Sequence, residues 1–339
     1  MTIGSRIKVA RKSNGLSTRK LGEMIGVSAT AISKYERDLD VPGSEVLIRL
    51  GNALKLSIEY FFRSEPNIIS IDLMHFRKHA SLPKKEEQQI KASVMEWLER
   101  YQQVEDILGI ENQNGCDFKY KISNFEDVEN AAADIRDKWN LGKAPIKSMM
   151  DLFENKGIKV YLIKSSTKFD ALTFSLNNCP VIAINASFPG DRQRFSLAHE
   201  LGHIVLDFSN EIDEEKAAHR FAGAFLVPAD AAKEELGPKR ISFTIDELAI
   251  CKKEYGMSMQ AWIRRAQDLG IISKDAAVDL YKYFNAKSWR GKEPGEQIPP
   301  EIPMRFEQLV YRAYAEALIS QSKAAELFGQ ALPMEPLRV

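Results

Sequence analysis

The chain has 339 residues, 44% hydrophobic and 28% charged, with 47 Lys/Arg against 47 Asp/Glu and therefore no net charge. That length and apolar content suit two or three folded domains and exclude a disordered, collagen-like or disulfide-stapled chain. No run approaches the roughly 20 apolar residues of a membrane span, and Arg6, Lys8, Arg11 and Lys12 interrupt any apolar leader, so a cytoplasmic protein without a membrane partner is expected. Cys116, Cys179 and Cys251 show no ligand spacing and no dedicated base, so they read as reduced packing residues and cysteine catalysis is not expected.

In chain order, residues 1–64 read as five short helices: Ile7–Lys12, Ser17–Ile25, Ser28–Glu36, Ser44–Leu54 and Ser57–Phe62. Gly26 separates the second from the third and Ser28 caps the third, which makes Ser17–Glu36 a helix-turn-helix with Leu21, Ile25, Val27, Ile32 and Leu50 in its core. The outer face of the third helix then carries Ala29, Thr30, Ser33, Lys34 and Arg37. Small polar side chains with a base at the rim suit a major groove, hydroxyls and methyls meeting base edges and charges meeting phosphates. Within 1–64 there are 11 Lys/Arg against 6 Asp/Glu, so positive charge is concentrated here although the whole chain is neutral. The segment resembles the Cro/C1-type (XRE) helix-turn-helix family along its whole length, in Leu16-Ser-Thr-Arg-Lys-Leu-Gly22 and Gly26-Val-Ser-Ala-Thr-Ala-Ile-Ser-Lys-Tyr-Glu-Arg37. Thr18 stands where that family usually has Gln, which weakens one expected contact. A double-stranded DNA operator is the expected partner, met by Arg11, Thr18, Lys20, Ser28, Ala29, Thr30, Ser33, Lys34 and Arg37.

After Glu65-Pro66 comes a connector whose long polar helix runs from Pro83 to about Leu108, with Val94, Trp97, Leu98, Tyr101, Val104 and Leu108 on one stripe. So narrow a stripe predicts packing along another domain or along the partner of a homodimer. His75 and His79 are four apart, but with no acidic residue between them they read as a surface or phosphate-facing pair. Asn112-Gln-Asn-Gly115 marks the next boundary. Helices Phe125–Trp139 and Ile146–Lys156, a strand Lys159–Ile163 and a hairpin follow, with strands Ala171–Ser175 and Val181–Asn185 about a turn at Asn177-Asn178. That order predicts a small mixed sheet, with Val181–Asn185 as its expected edge.

The next helix starts at Pro189-Gly190-Asp191 and repeats apolar residues at Phe195, Leu197, Ala198, Leu201, Ile204 and Val205. It carries His199-Glu200-Leu201-Gly202-His203, which puts two imidazoles on one helix face with a carboxylate beside the first. Two imidazoles and one carboxylate with a free fourth position suit Zn2+, and Glu200 is placed to take the proton of a water attacking a carbonyl. A second helix, from the acidic run Glu211–Glu215 to Leu226, puts Glu215 and His219 on one face. Glu215 is the expected third ligand, with Glu214, Glu211 and His219 as competitors; His219 otherwise orients a ligand or meets the substrate oxyanion.

Phe195-Ser-Leu-Ala-His-Glu-Leu-Gly-His-Ile-Val-Leu206 and Glu215-Lys-Ala-Ala-His-Arg-Phe-Ala-Gly-Ala-Phe-Leu-Val-Pro228 together resemble the ImmA/IrrE family of zinc metallopeptidases, over roughly residues 120 to 290. His219 replaces the commoner Asn or Asp of that family, and Val227 replaces Met. The resemblance implies a zincin-like fold and a site-specific endopeptidase that cleaves a DNA-binding repressor. Beyond Pro238, Ser242–Leu269 predicts a small helical unit turning at Tyr255–Trp262, and Ile319–Phe328 is faintly helix-turn-helix-like, with packing the expected role.

The expected architecture is therefore multidomain: an all-α helix-turn-helix domain (1–64), a helical connector (65–120), an α+β zincin-like metallopeptidase domain (121–240) and a helical C-terminal region (241–339). The expected function is a DNA-binding transcriptional regulator carrying a zinc endopeptidase, with Glu200 and His219 in catalysis and His199, His203 and Glu215 on the metal. The alternative is a non-proteolytic autoregulator or antitoxin that uses the zincin fold to bind a partner such as a cognate toxin.

Overall fold

The computed structural model describes residues 2–54, 56, 58–62, 83–111, 116, 118–166, 169–176, 179–209 and 211–329. The boundary signals at Glu65-Pro66 and Asn112–Gly115, the His75/His79 pair and the Asn177-Asn178 turn lie outside them. The chain divides into two compact units, residues 1–112 with 304–339, and residues 113–303. The stretch 241–339, expected as one region, is thus shared between the two.

In the first unit, α1 (Ile3–Ser13), α2 (Thr18–Ile25), α3 (Ala29–Tyr35), α4 (Ser44–Leu54) and α5 (Glu59–Phe62) follow the expected order. Thr2, Ser17 and Ser28 cap the first three by accepting from Ser5 N, Lys20 N and Ala31 N, which satisfies amides that have no partner inside the helix. Gly26 closes α2 at φ 71°, a left-handed conformation that turns the chain into α3 and strains any other side chain. Leu21, Ile25, Ile32 and Leu50 are buried with Ile7, Leu47 and Phe61, while Val27 is only half-buried. The connector helix α6 (Lys84–Leu108) buries Val94, Trp97, Leu98, Tyr101 and Val104. Its stripe packs within this unit, against α1, α15 (Arg305–Ala315) and α16 (Gln321–Phe328). Tyr101 stacks on Phe306 at 5.5 Å between ring centres, and Arg100 donates to the Leu327 carbonyl at 3.1 Å. The Ile319–Phe328 segment therefore does packing work here. Arg6 of α1, fully buried, pairs with Glu99 of α6 at 2.9 Å.

In the second unit, α7 (Phe125–Lys138) opens with a reciprocal cap between Asn124 and Asp127, and α8 (Met149–Asn155) leads into the sheet. Strand β2 (Lys159–Ile163) pairs parallel with β4 (Cys179–Asn185), which pairs antiparallel with β3 (Ala171–Leu176), giving the order β2-β4-β3. The sheet is mixed as expected, but Val181–Asn185 is its centre. All seven residues of β4 are buried, as the unbroken apolar run Val181-Ile-Ala-Ile184 requires of a strand covered on both faces, and β3 and β2 are the edges. A short strand β1 (Tyr120–Ile122) pairs parallel with β5 (Leu206–Phe208). Between the sheet and the remaining helices lies α9 (Gly190–Val205), packed on β3 and β4 below and on α10 (Glu214–Leu226) beside it. The helices α11 (Ala229–Leu236), α12 (Ile245–Tyr255), α13 (Met259–Asp268) and α14 (Lys274–Ala286) complete the core around Trp262 and Phe284, and residues 291–304 follow without helix or strand. Among the described residues, no helix is long and apolar enough to cross a membrane.

Candidate functional site

The helical spacing of α9 turns both motif histidines the same way, with Nε2 of His199 and Nε2 of His203 3.1 Å apart. Glu215, in the first turn of α10, reaches His199 Nε2 at 3.3 Å with one carboxylate oxygen and His203 Nε2 at 3.5 Å with the other. Close approach of the two helices makes this meeting possible: a Cβ on Gly202 would lie 3.1 Å from the Phe221 ring and 3.4 Å from Ala218 Cα. The three donor atoms all fall within 4.8 Å of one another, and among the described residues no other group of three His, Cys, Asp or Glu side chains does so. A tetrahedral zinc ion with ligands at about 2.0–2.1 Å spaces its donors by roughly 3.3 Å. The two nitrogens and the carboxylate therefore fit zinc in both type and spacing. Of the competing third ligands, Glu211 and Glu214 are exposed outside the cluster, and His219 contributes no donor atom to it.

Glu200 points elsewhere. It is 7% exposed and its Oε2 accepts from the Thr173 hydroxyl of β3 at 2.5 Å, so its carboxylate is held from the sheet and is no member of the triad. His219 is exposed one turn beyond Glu215, its ring 4.6 Å from that of His199 and 5.6 Å from that of Phe195. Phe208 covers the other flank, edge-on to His203 at 6.0 Å.

The residues expected on DNA are distributed less evenly. Thr30, Lys34 and Arg37 are exposed on α3 and its end, with Ala29 and Ser33 half-buried beside them. Ser28 is exposed but its hydroxyl caps Ala31 N, and Thr18 is half-buried at the start of α2. Lys20 is 63% exposed. Arg11 departs from expectation. Its guanidinium donates to Glu36 at 2.9 Å and to the Leu16 carbonyl at 2.7 Å, with the pair only 12% and 7% exposed. It joins α1 to the end of α3, and three of its five N–H groups are spent inside the unit. Arg6, buried against Glu99, is likewise lost from the basic face.

Residues 153–267 match the Peptidase M78 family, described as the IrrE N-terminal-like domain, and residues 7–61 match a helix-turn-helix family. The chain joins an XRE-type helix-turn-helix to an ImmA/IrrE-like domain of a metallopeptidase family. An uncharacterized HTH-type transcriptional regulator of Sinorhizobium medicae is 34% identical over 64 residues, 19% of this chain and 46% of that protein. Repressor protein C2 of Salmonella phage P22 is 38% identical over 63 residues, 19% of this chain and 29% of the repressor. The HTH-type transcriptional regulator ImmR of Bacillus subtilis is 32% identical over 60 residues, 18% of this chain and 47% of that protein. The chain spans less than half the length of each of these relatives.

The IrrE-like domain is braced by residues that the sequence reading passed over. Glu129 of α7 accepts from Arg220 of α10 at 2.6 Å and from Arg265 of α13 at 2.5 and 2.7 Å, and Arg265 also donates to the Val227 carbonyl at 2.9 Å. Burial pushes the Glu129 carboxyl up, but the hydrogen bonds and charges of Arg265 and Arg220 outweigh it and hold the group below its ordinary value. This brace fixes α10 one residue beyond His219. At the other end of the site, Gly190 N donates to the Ile298 carbonyl at 2.9 Å, and Arg194 donates to the Ile146 carbonyl at 2.7 Å and pairs with Glu301. Charged residues so far apart in sequence, and likewise the neutral Thr173 hydroxyl, give no local signal of their pairing.

Proposed function

We propose that the ImmA/IrrE-like domain is a zinc-dependent endopeptidase, that the helix-turn-helix domain delivers it to an operator, and that it switches transcription by cutting a repressor-type protein. The observation that carries this reading is the donor triad of His199, His203 and Glu215, with Glu200 next to His199 in the chain and its carboxylate held by the Thr173 hydroxyl. In this reading His199 and His203 bind through Nε2 and Glu215 through its carboxylate. A bound zinc ion supplies Lewis acidity, polarising a carbonyl and making water acidic enough to react near neutral pH. Glu200 accepts the proton of the attacking water at its carboxylate and returns it to the leaving amine nitrogen. His219 supplies an N–H to the oxyanion that develops on the carbonyl oxygen. The substrate adds as an extended strand along an edge of the sheet, and β3, which touches Glu200, is the edge assigned to it.

A purely structural zinc site has no use for a carboxylate residue adjoining a ligand in the chain but outside the ligand set, and it closes its fourth position with another residue. The test is capture with Glu200→Gln protein, which keeps the triad and lacks the base. Proteins retained by this variant, then offered to wild type, should be cut at one site by wild type and left whole by Glu200→Gln. Cutting at equal rates by both would remove Glu200 as the base, whereas no cutting by wild type, or a promoter that responds normally in Glu200→Gln cells, would leave the non-proteolytic regulator as the function.

A further inference from the structure

We propose that Thr173 is a positioning residue that sets Glu200 in register with an extended peptide on β3; the proposal rests on the endopeptidase reading above. β3 is bonded to β4 on one side only among the described residues. Beyond the first pair, Ala171 with Ile184, Asn185 N donates to the Asp170 carbonyl at 2.9 Å, which makes Asp170 and Asn185 a hydrogen-bonded pair. In an antiparallel ladder bonded and non-bonded pairs alternate. Leu172 and Phe174 therefore spend their main-chain groups on β4, whereas Ala171, Thr173 and Ser175 turn their N–H and C=O to the open edge. Pro180, which has no N–H, stands opposite Ser175, a non-bonded position where none is needed.

Thr173 thus faces two ways. Its main chain is presented to whatever pairs with β3, and its hydroxyl donates to Glu200 Oε2 at 2.5 Å. A peptide that accepts the Thr173 N–H and donates to its carbonyl is fixed along the strand relative to the same residue that fixes the base. The distance from base to attacked carbon is then set by one residue rather than by the sum of two mobile parts. Loss of the hydroxyl frees the Glu200 carboxylate to rotate, and a misplacement of about 1 Å costs up to roughly a hundredfold in rate.

The experiment compares full-length, zinc-loaded wild type, Thr173→Val, Thr173→Ser and Glu200→Gln on a quenched fluorescent decapeptide library, using the peptide that wild type cuts best. Thr173→Val should lower kcat about ten- to hundredfold with KM within about twofold, and zinc per chain should not change. Thr173→Ser, which keeps the donor, should recover most of kcat. A readout independent of turnover is the melting temperature: Thr173→Val should lower it when Glu200 is present and leave it unmoved in a Glu200→Ala background. Unchanged kcat in Thr173→Val, no recovery in Thr173→Ser, zinc loss in parallel with activity, or equal melting shifts in both backgrounds would each overturn the role. If wild type cuts no peptide, the endopeptidase reading falls and the role falls with it. If wild type and Thr173→Val cut alike, only the role falls.

Discussion

Replacing Arg11 with alanine separates a structural arginine from a DNA-contacting one. In the folded chain its guanidinium bridges Glu36 at 2.9 Å and the Leu16 carbonyl at 2.7 Å, and the two charged side chains are 12% and 7% exposed. Arg11→Ala leaves the Glu36 carboxylate nearly buried without its partner. Breaking a fully buried pair costs 3–5 kcal/mol and an exposed one under about 1, so a cost of roughly 3 kcal/mol is expected here. At 1.4 kcal/mol per factor of ten, amides of residues 3–54 whose exchange requires this unit to open should exchange about a hundredfold faster. Hydrogen exchange read by mass spectrometry on the full chain resolves these residues from the rest. The salt dependence of duplex binding, measured well below the melting temperature, should keep the wild-type slope in Arg11→Ala. Lys20→Ala, which removes a side chain 63% exposed, should instead lose about one unit of slope with exchange unchanged. An Arg11→Ala protein with wild-type exchange and a slope one unit smaller would refute the reasoning and return Arg11 to the phosphate-contacting set.

Elemental analysis of metal-replete protein should find one zinc per chain in wild type and in Glu200→Gln, and little in His199→Ala, His203→Ala or Glu215→Ala, because only the latter three remove a donor of the cluster. Thr30 or Ser33 substitutions should change which duplex is preferred, with the salt slope held, in a competition between operator variants. Glu129 makes a pH prediction. Its pKa is lower folded than unfolded, so its contribution is complete above the unfolded value of about 4.3 and is lost as pH falls through the folded one. Urea midpoints taken at several pH values should show wild type losing stability on acidification. Glu129→Gln should start roughly 3 kcal/mol lower, since Arg265 is buried opposite it, and should lack this component of the acid slope.

Whatever depended on neighbours along the chain was legible in the sequence. The caps at Ser17 and Ser28, the left-handed Gly26 and the apolar spacing of Leu21, Ile25 and Ile32 specify the helix-turn-helix locally. His199 and His203 share a face because any helix makes residues four apart neighbours. That Glu215, and not Glu211 or Glu214, meets the two histidines belonged to the tertiary structure, because it follows from how closely α9 approaches α10 at Gly202 and Phe221. The place of β4 in the sheet was half-legible: an apolar run on four successive residues reports burial of both faces, but only the pairing shows that β3 and β2 flank it. The inward turn of Arg11, the brace at Glu129 and the Thr173 contact to Glu200 were decided by the fold alone. A charged or hydroxyl side chain reads the same in sequence whether it meets water or a partner 25 to 136 residues away, and only packing determines which.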